Sequence, residues 1–444
     1  MTTVAPGPDA RAPVRFNPFS PSFREDPYPA YRALRETRPV HRTMGMWVLT
    51  RHADVRAVLA DRTFGVGVIP ALISKQAARV AGPDVARIAR LSRASLVFTD
   101  DPDHARLRPV LNRVFTARAI AARRPHAAAA ADRLLAAASA AGAARAAGAA
   151  GAAGEIDAVA DFAAPLAVGV LCDWMGLPAE VRARVAGWTH DIRFLLEPGL
   201  MSAADFTRVR EVVELFVAAL EPVVAERRAR PGDDLISALL AAQAGTGDSA
   251  RRGDEELLFV CIMCFVAGVE TTTALIVNGL LALLRHPEQA ALARSAPGPG
   301  PGPGLAAGVV EETLRYDSPL QMTKRLAGVD TVVGGETIRA GEQVLLCLGA
   351  ANRDPAAFER PDTFDVTRPG RAHLAFGHGM HVCLGGLLAR LEAEVAFEAV
   401  LRHPIRLARP GDPVEWQDHS FIVRRPRRLP VALGARPDSA GRTA

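Results

Sequence analysis

The sequence predicts a mainly α protein with small β-sheets. Three observations carry this. Residues 161–175, 203–228 and 234–242 show apolar residues at helical spacing. Residues 254–286 form a long, mostly apolar segment that continues the same pattern. Short β signals occur near 331–338 and 343–348, each broken by a Gly-Gly or Ala-Gly turn.

The elements follow in order. Asp26-Pro27-Tyr28-Pro29 opens a helix over 30–37. Residues 46–50 read as a strand and 53–60 as a helix. Residues 64–98 have no clean period and read as a long, partly helical connection, a kind that often serves function. Alanine dominates 117–153: a helical pattern runs to about Ala140, and the Ala/Gly alternation of 141–154 reads as a flexible insertion. Residues 295–304 (SAPGPGPGPG) form a second such loop. Residues 1–15 and 435–444 read as disordered ends around a single domain, 16–434.

The segment 254–286 decides between a membrane span and a core helix. As a helix it would be roughly 50 Å long, at about 1.5 Å per residue. Asp254 suits an N-cap, and Glu255 and Glu256 suit the first turn. A bilayer span needs about 20 unbroken apolar residues. Glu270-Thr271-Thr272-Thr273 interrupts this one, so a buried central helix is expected. An acid and hydroxyls in the middle of a core helix call for a functional reason.

Composition narrows the function classes. With 49% hydrophobic and 23% charged residues the chain is an ordinary globular protein. Its 53 basic and 48 acidic residues leave +5, not gathered into one run, which argues against nucleic-acid binding. Only Lys75 and Lys324 among the basic residues are lysines. The five cysteines are an odd number without paired CxxC units, so no disulfide framework is expected. Cys261 and Cys264 lie in apolar surroundings and read as buried thiols. No signal peptide is visible before Val14, and a cytoplasmic chain is expected.

The strongest local signal is Phe376-Gly377-His378-Gly379-Met380-His381-Val382-Cys383-Leu384-Gly385-Gly386, directly before a helical pattern. A cysteine at a helix N-terminus has its thiolate stabilised by backbone N–H groups and the dipole. The glycines let the backbone bend and let a flat cofactor approach. An anionic sulfur on such a loop suits the iron of a planar macrocycle. A zinc set of His378, His381 and Cys383 lacks a second ligand cluster.

This string resembles the haem-binding loop of the cytochrome P-450 superfamily, with Cys383 as thiolate ligand and Phe376, Gly377 and Gly385 shaping the loop. Three further motifs follow the family's order, so the resemblance covers about 16–434. Glu312-Thr313-Leu314-Arg315 resembles its Glu-x-x-Arg helix, which implies a structural role for Glu312 and Arg315. Ala351-Asn352-Arg353-Asp354-Pro355, Phe358, Pro361-Asp362 and Phe364-Asp365 resemble the stretch leading to the Cys loop. Ala267-Gly268-Val269-Glu270-Thr271-Thr272 resembles the oxygen-activation segment. There Gly268 leaves room for O2, Thr271 supports the oxygen-binding network and Glu270 belongs to the proton relay. His104 and Arg108, four apart on one helix face, resemble the propionate-binding helix, and Arg325 and His381 complete that set.

The resemblance implies the family fold, with haem between the central long helix and the Cys loop and its helix. It implies a haem b monooxygenase that uses O2 to hydroxylate or epoxidise an apolar small molecule. No flavin, nicotinamide or iron–sulfur fingerprint is visible, so electrons from NAD(P)H are expected through separate partners, a ferredoxin and its reductase. Arg106, Arg113 and Arg390 are candidates for that docking face. A monomer is expected. By position, Val68, Ile69, Leu72, Leu96, Val97, Val266, Leu320, Met322 and Phe421 are expected to line the substrate pocket. Their aliphatic character suggests a terpenoid- or polyketide-like natural-product intermediate. An oxidase of the same fold that couples rings or desaturates, and a non-catalytic haem-binding module, are the rival readings.

Overall fold

The computed structural model describes residues 16–67, 73–75, 95–147, 155–192, 195, 197, 201–244, 254–295, 305–370 and 372–434. The pocket candidates Val68, Ile69 and Leu72, the two chain ends and residues 148–154 and 296–304 lie outside these.

The principal helices are α1 (Tyr28–Thr37), α2 (His52–Ala60), α3 (Asp103–Val114), α4 (Arg124–Ala147), α5 (Ala164–Trp174), α6 (Ala179–Ile192), α7 (Ala203–Ala229), α8 (Leu235–Ala244), α9 (Asp254–Arg285), α10 (Leu305–Tyr316) and α11 (Gly386–Leu401). The helical expectations hold within a few residues, with three differences. The alanine-rich stretch splits, because a short helix, Ala117–Ala121, precedes α4. The α4 backbone runs on to Ala147, past the expected end near Ala140, in line with the helix propensity of alanine. Before α5, residues Ala158–Ala163 form a π turn, started by the Asp157 side chain accepting from Val159 N–H.

The strands are β1 (Val40–Thr43), β2 (Met46–Leu49), β3 (Phe64–Gly65), β4 (Glu155–Asp157), β5 (Met322–Ala327), β6 (Thr331–Val333), β7 (Glu336–Ile338), β8 (Gln343–Cys347), β9 (Ile405–Leu407) and β10 (Pro430–Leu433). They make a five-stranded sheet in the order β1-β2-β8-β5-β3, a three-stranded sheet β4-β10-β9 and the β6–β7 hairpin. In the larger sheet β2 and β8 run parallel and the other pairs antiparallel.

The larger sheet is buried on both faces, and strand alternation sorts its side chains. Leu49, Val344, Leu346 and Ala327 face one apolar cluster. Val48, Leu345, Cys347 and Met322 face another, with Phe16, Phe23 and Tyr31. Met322 is therefore packed in the core on the opposite face of β5 from Arg325, a correction to its pocket assignment. Its side chain is fully buried.

The third and largest cluster is helical and centres on α9, which packs against α5, α7, α10 and α11. Among the described residues α9 is the one helix long and apolar enough to cross a bilayer, yet 67% of its most apolar window is buried by the rest of the fold. Its apolar run is thus satisfied by protein, as a core helix requires.

Close approach is sharpest where α10 meets the chain that follows it. A Cβ added at Gly308 would sit 2.1 Å from the Val366 carbonyl oxygen. A Cβ at Gly169 in α5 would meet nothing within 4 Å. Gly308→Ala is expected to lower thermal stability by about 1–3 kcal/mol through overpacking. Gly169→Ala is expected to be neutral or to stabilise by up to about 1 kcal/mol. Thermal melts of the two variants check this, and equal midpoints would contradict it.

Candidate active site

The Cys loop lies between the sheet cluster and α11. Cys383 N–H donates to Phe376 O at 2.9 Å, and Gly377 N–H to Leu374 O at 2.9 Å. Gly377 and Gly379 both have φ of +71°. At Gly379 a Cβ would meet Leu59 O of α2 at 2.5 Å, so that position requires glycine twice over. Phe376 is fixed by the Arg390 guanidinium over its ring, 4.5 Å from the centroid.

Cys383 is solvent-accessible, yet protein surrounds it. Burial pushes its thiol up, while the Gly385 N–H, Arg108 and Arg390 favour the thiolate. Cys172, Cys261 and Cys347 are buried, and burial pushes the thiols of Cys172 and Cys264 up to about 12. Of the five, Cys383 combines accessibility with nearby cations and an N–H donor, the setting a metal-binding thiolate needs.

The four expected carboxylate-binding residues come together. The His104 and His381 rings meet edge-on at 4.7 Å. Arg108 Nη1 donates to Val382 O at 2.7 Å, inside the Cys loop. Arg325 is 5% exposed, and among the described residues it hydrogen-bonds only Thr323 Oγ1 and Lys324 O. Burial lowers its pKa to about 10, against the pull of Asp100. His104 Nε2 is buried with no hydrogen-bond partner among the described residues. Burial, then His381 and Arg108, lower the His104 pKa. Asp100, hydrogen-bonded to His381 at 3.1 Å and to the N–H groups of Val66 and Gly67, is the carboxylate held within this set. A buried guanidinium without a carboxylate partner and an orphaned imidazole nitrogen are the donor set that a multiply anionic group fits. Haem, with two propionates, fits these residues and the accessible Cys383.

On α9, which is helical throughout, Thr271 Oγ1 donates to Ala267 O at 2.7 Å, a back-bond of the kind that tends to bend helices. Gly268 faces α5: a Cβ would lie 3.2 Å from Leu171 Cδ1. Glu270 points to the C-terminal chain. Arg425 Nε donates to its Oε1 at 2.9 Å, and His419 Nε2 lies 3.7 Å away. Burial alone would raise this carboxyl, but His419 and Arg425 outweigh burial and hold it down to about 2.

Glu312 and Arg315 are each 2% exposed. Arg315 donates to both Glu312 oxygens and to the carbonyls of Asn352, Pro361 and Thr363. Arg368 Nε and Asp365 N–H complete the carboxylate's partners. Their neighbour Glu311 accepts from Arg390 and lies 3.0 Å from His373 Nε2. Arg390 is thus committed to the loop's own structure, which corrects its placement on a docking face.

Other expected positions divide. Arg106 pairs with Glu256 at 2.7 Å, and Arg113 is exposed. Leu96, Leu320 and Phe421 are partly buried, Val266 is core, and Val97 is 43% exposed. Phe421 packs on Phe19 and carries the Lys324 ammonium 5.3 Å above its ring. Asp100, Arg425, His419 and Glu311 escaped the sequence reading. None sits in a local pattern, and each is recruited across at least 62 positions of sequence.

The cytochrome P450 family pattern matches residues 194–294 and 305–429. The biotin biosynthesis cytochrome P450 of Bacillus subtilis (strain 168) is 34% identical over 395 residues, which cover 86% of this chain and 90% of that protein. The chain belongs to the cytochrome P450 family. 6-deoxyerythronolide B hydroxylase of Saccharopolyspora erythraea is 34% identical over 423 residues, 93% of this chain and 98% of that one. The crystal structure of CalO2 superposes with a TM-score of 0.83 at 33% identity, covering 95% of this chain and 99% of that one. The protein is a cytochrome P450 monooxygenase that uses haem b and O2, with electrons from NAD(P)H delivered through redox partners.

The depressed Glu270 value gives a signed pH expectation. The ionised Glu270 contributes stability above the ordinary carboxylate range, and that contribution is lost as pH falls towards about 2. Arg425→Gln removes an opposing charge, so the carboxyl rises. The midpoint of acid unfolding is expected to move to higher pH in Arg425→Gln, and an unchanged midpoint would contradict the clamp.

Proposed function

We propose that Cys383 would hold the haem iron through its sulfur and that His104, Arg108, Arg325 and His381 would hold the propionates. The observation that carries this is the gathering of these four basic side chains beside an accessible cysteine, with Arg325 buried and His104 Nε2 without a partner among the described residues. Phe376, Gly377 and Gly385 shape the loop, and Glu312 and Arg315 brace it. When bound, haem b supplies the centre at which two electrons and two protons reduce O2, one oxygen entering the substrate and one leaving as water.

The chain's own part is orientation and proton handling. The Gly385 N–H and the N-terminal end of α11 favour negative charge on the Cys383 sulfur. Thr271 Oγ1 donates to Ala267 O, so its lone pairs can still accept from water on α9. Glu270 is a carboxylate while Arg425 holds it. A proton passes through Glu270 only once its oxygen moves off the Arg425 guanidinium, and His419 is the nearby group able to donate. Arg425 and His419 are therefore positioning residues for the relay.

The substrate is an apolar natural-product intermediate, hydroxylated or epoxidised. Support comes from the partly buried, aliphatic Leu96 and Leu320 and from the relative whose name makes it a 6-deoxyerythronolide B hydroxylase. The electron donor is a ferredoxin with its reductase, and exposed Arg113 with partly exposed Arg106 is the acceptor face for it. Residues 16–434 act as one domain, monomeric and cytoplasmic.

Reduced protein with carbon monoxide is expected to show the shifted thiolate-type absorption band. Cys383→Ser should abolish the band, and Cys261→Ser should keep it. A band that survives Cys383→Ser would overturn the ligand assignment. Donor-supported turnover is expected to fall with rising ionic strength, and salt-independent turnover would contradict a charge-guided donor face.

A further inference from the structure

A cavity of about 360 Å³ opens between α4, α5 and α6, and none of its lining residues belongs to the Cys383 site. Its volume lies in the range of small-molecule sites. The walls carry Arg123, His126 and Arg133 from the start of α4 and the residue before it, Asp173 and Val170 from α5, and Arg182 from α6. His126 and Arg133 are seven apart on one helix, so they share a face.

The charges there do not balance. Arg182 spends one Nη on Asp173 and its Nε on Leu177 O. Arg123 Nη2 reaches Asp233 at 3.2 Å, but the Asp233 side chain is 99% exposed and solvent weakens the pair. Arg123 Nε is buried and has no hydrogen-bond partner among the described residues. Arg133 and His126 are exposed and have no hydrogen bond or ion pair among the described residues. Three guanidiniums and an imidazole thus line a concave space that holds one carboxylate, Asp173. Like charges gathered in this way repel one another, and a bound dianion would relieve the repulsion. Guanidinium forks match phosphate oxygens pairwise, and Arg is the residue suited to that geometry.

We propose that this cavity binds a small phosphate-bearing anion, at a site separate from the monooxygenase centre. The remaining Nη atoms of Arg123 and Arg182 and the unpaired Arg133 would donate to the phosphate oxygens, with His126 at the rim. The stems of these residues and Val170 would cover the rest of the ligand.

Inorganic pyrophosphate is the probe, titrated calorimetrically into the haem-loaded full chain at low ionic strength. One saturable site is expected, with a rise in melting temperature, because a ligand that binds only the folded state stabilises it. The double variant His126→Gln/Arg133→Gln is expected to bind at least roughly tenfold more weakly, a loss of about 1.4 kcal/mol. Both side chains lack partners among the described residues, so the variant should fold and keep the haem spectrum of the parent. Arg339→Gln, at an exposed position just after β7 and outside the cavity, should bind as the parent does. No saturable binding, or equal affinity in the double variant and the parent, would overturn the proposal. Either result would leave the monooxygenase reading untouched, since no step of the titration depends on turnover.

Discussion

The buried Glu312–Arg315 pair is the constraint on which the position of the Cys loop depends. Two charges at 2% exposure are tolerable only if every donor and acceptor is used, and here they are. Arg315 reaches three backbone carbonyls between residues 352 and 363, while Glu312 accepts from Arg315, Arg368 and the Asp365 N–H. Asn352, inside the same network, accepts from Leu374 N–H at 2.6 Å, three residues before the first loop glycine. The next residue back on α10, Glu311, ties down His373 and Arg390, and Arg390 covers Phe376. One helix therefore holds both the approach to the loop and its aromatic start. Removing either charge of the central pair would leave the other buried and unpaired, at a cost of about 3–5 kcal/mol.

The site built on that support is electrostatically one-sided. His104, Arg108, Arg325 and His381 converge from a helix, a strand and the loop itself, with Asp100 as their hydrogen-bonded carboxylate. Such a set costs stability unless anions meet it. The two carboxylates of haem would answer that requirement, which would link the folding energetics of the loop to cofactor retention. The acid on α9 shows the opposite arrangement. Glu270 is matched by Arg425, with His419 3.7 Å away, so its resting state is charged, and a role in proton delivery would require motion.

Much of this was legible in the sequence, for reasons that differ by residue. Cys383 is marked by its glycine-rich string before a helical pattern, Glu312, Arg315, Glu270 and Thr271 by the family resemblance of their segments, and α9 by its length and apolar content. The β6–β7 hairpin is written in Gly334-Gly335. What was hidden is what the fold brings from afar. Arg425 reaches Glu270 across 155 positions and Asp100 reaches His381 across 281, with no local pattern to mark either. The Ala/Gly alternation after Ala140 suggests a loop, yet the helix propensity of the alanines carries α4 through Gly142 to Ala147. Met322 was misassigned because its neighbourhood in sequence is that of Arg325, whereas strand alternation sends adjacent side chains to opposite faces.

The central claim is that this chain presents an anionic sulfur, from Cys383, to the haem iron. Electron paramagnetic resonance of the ferric, substrate-free protein tests it most directly, because the spread of the low-spin g values reports the axial ligands. The narrow spread of a thiolate-ligated centre is the expected result. The wide spread of a centre held by two imidazoles, with His378 or His381 in place of Cys383, would contradict it.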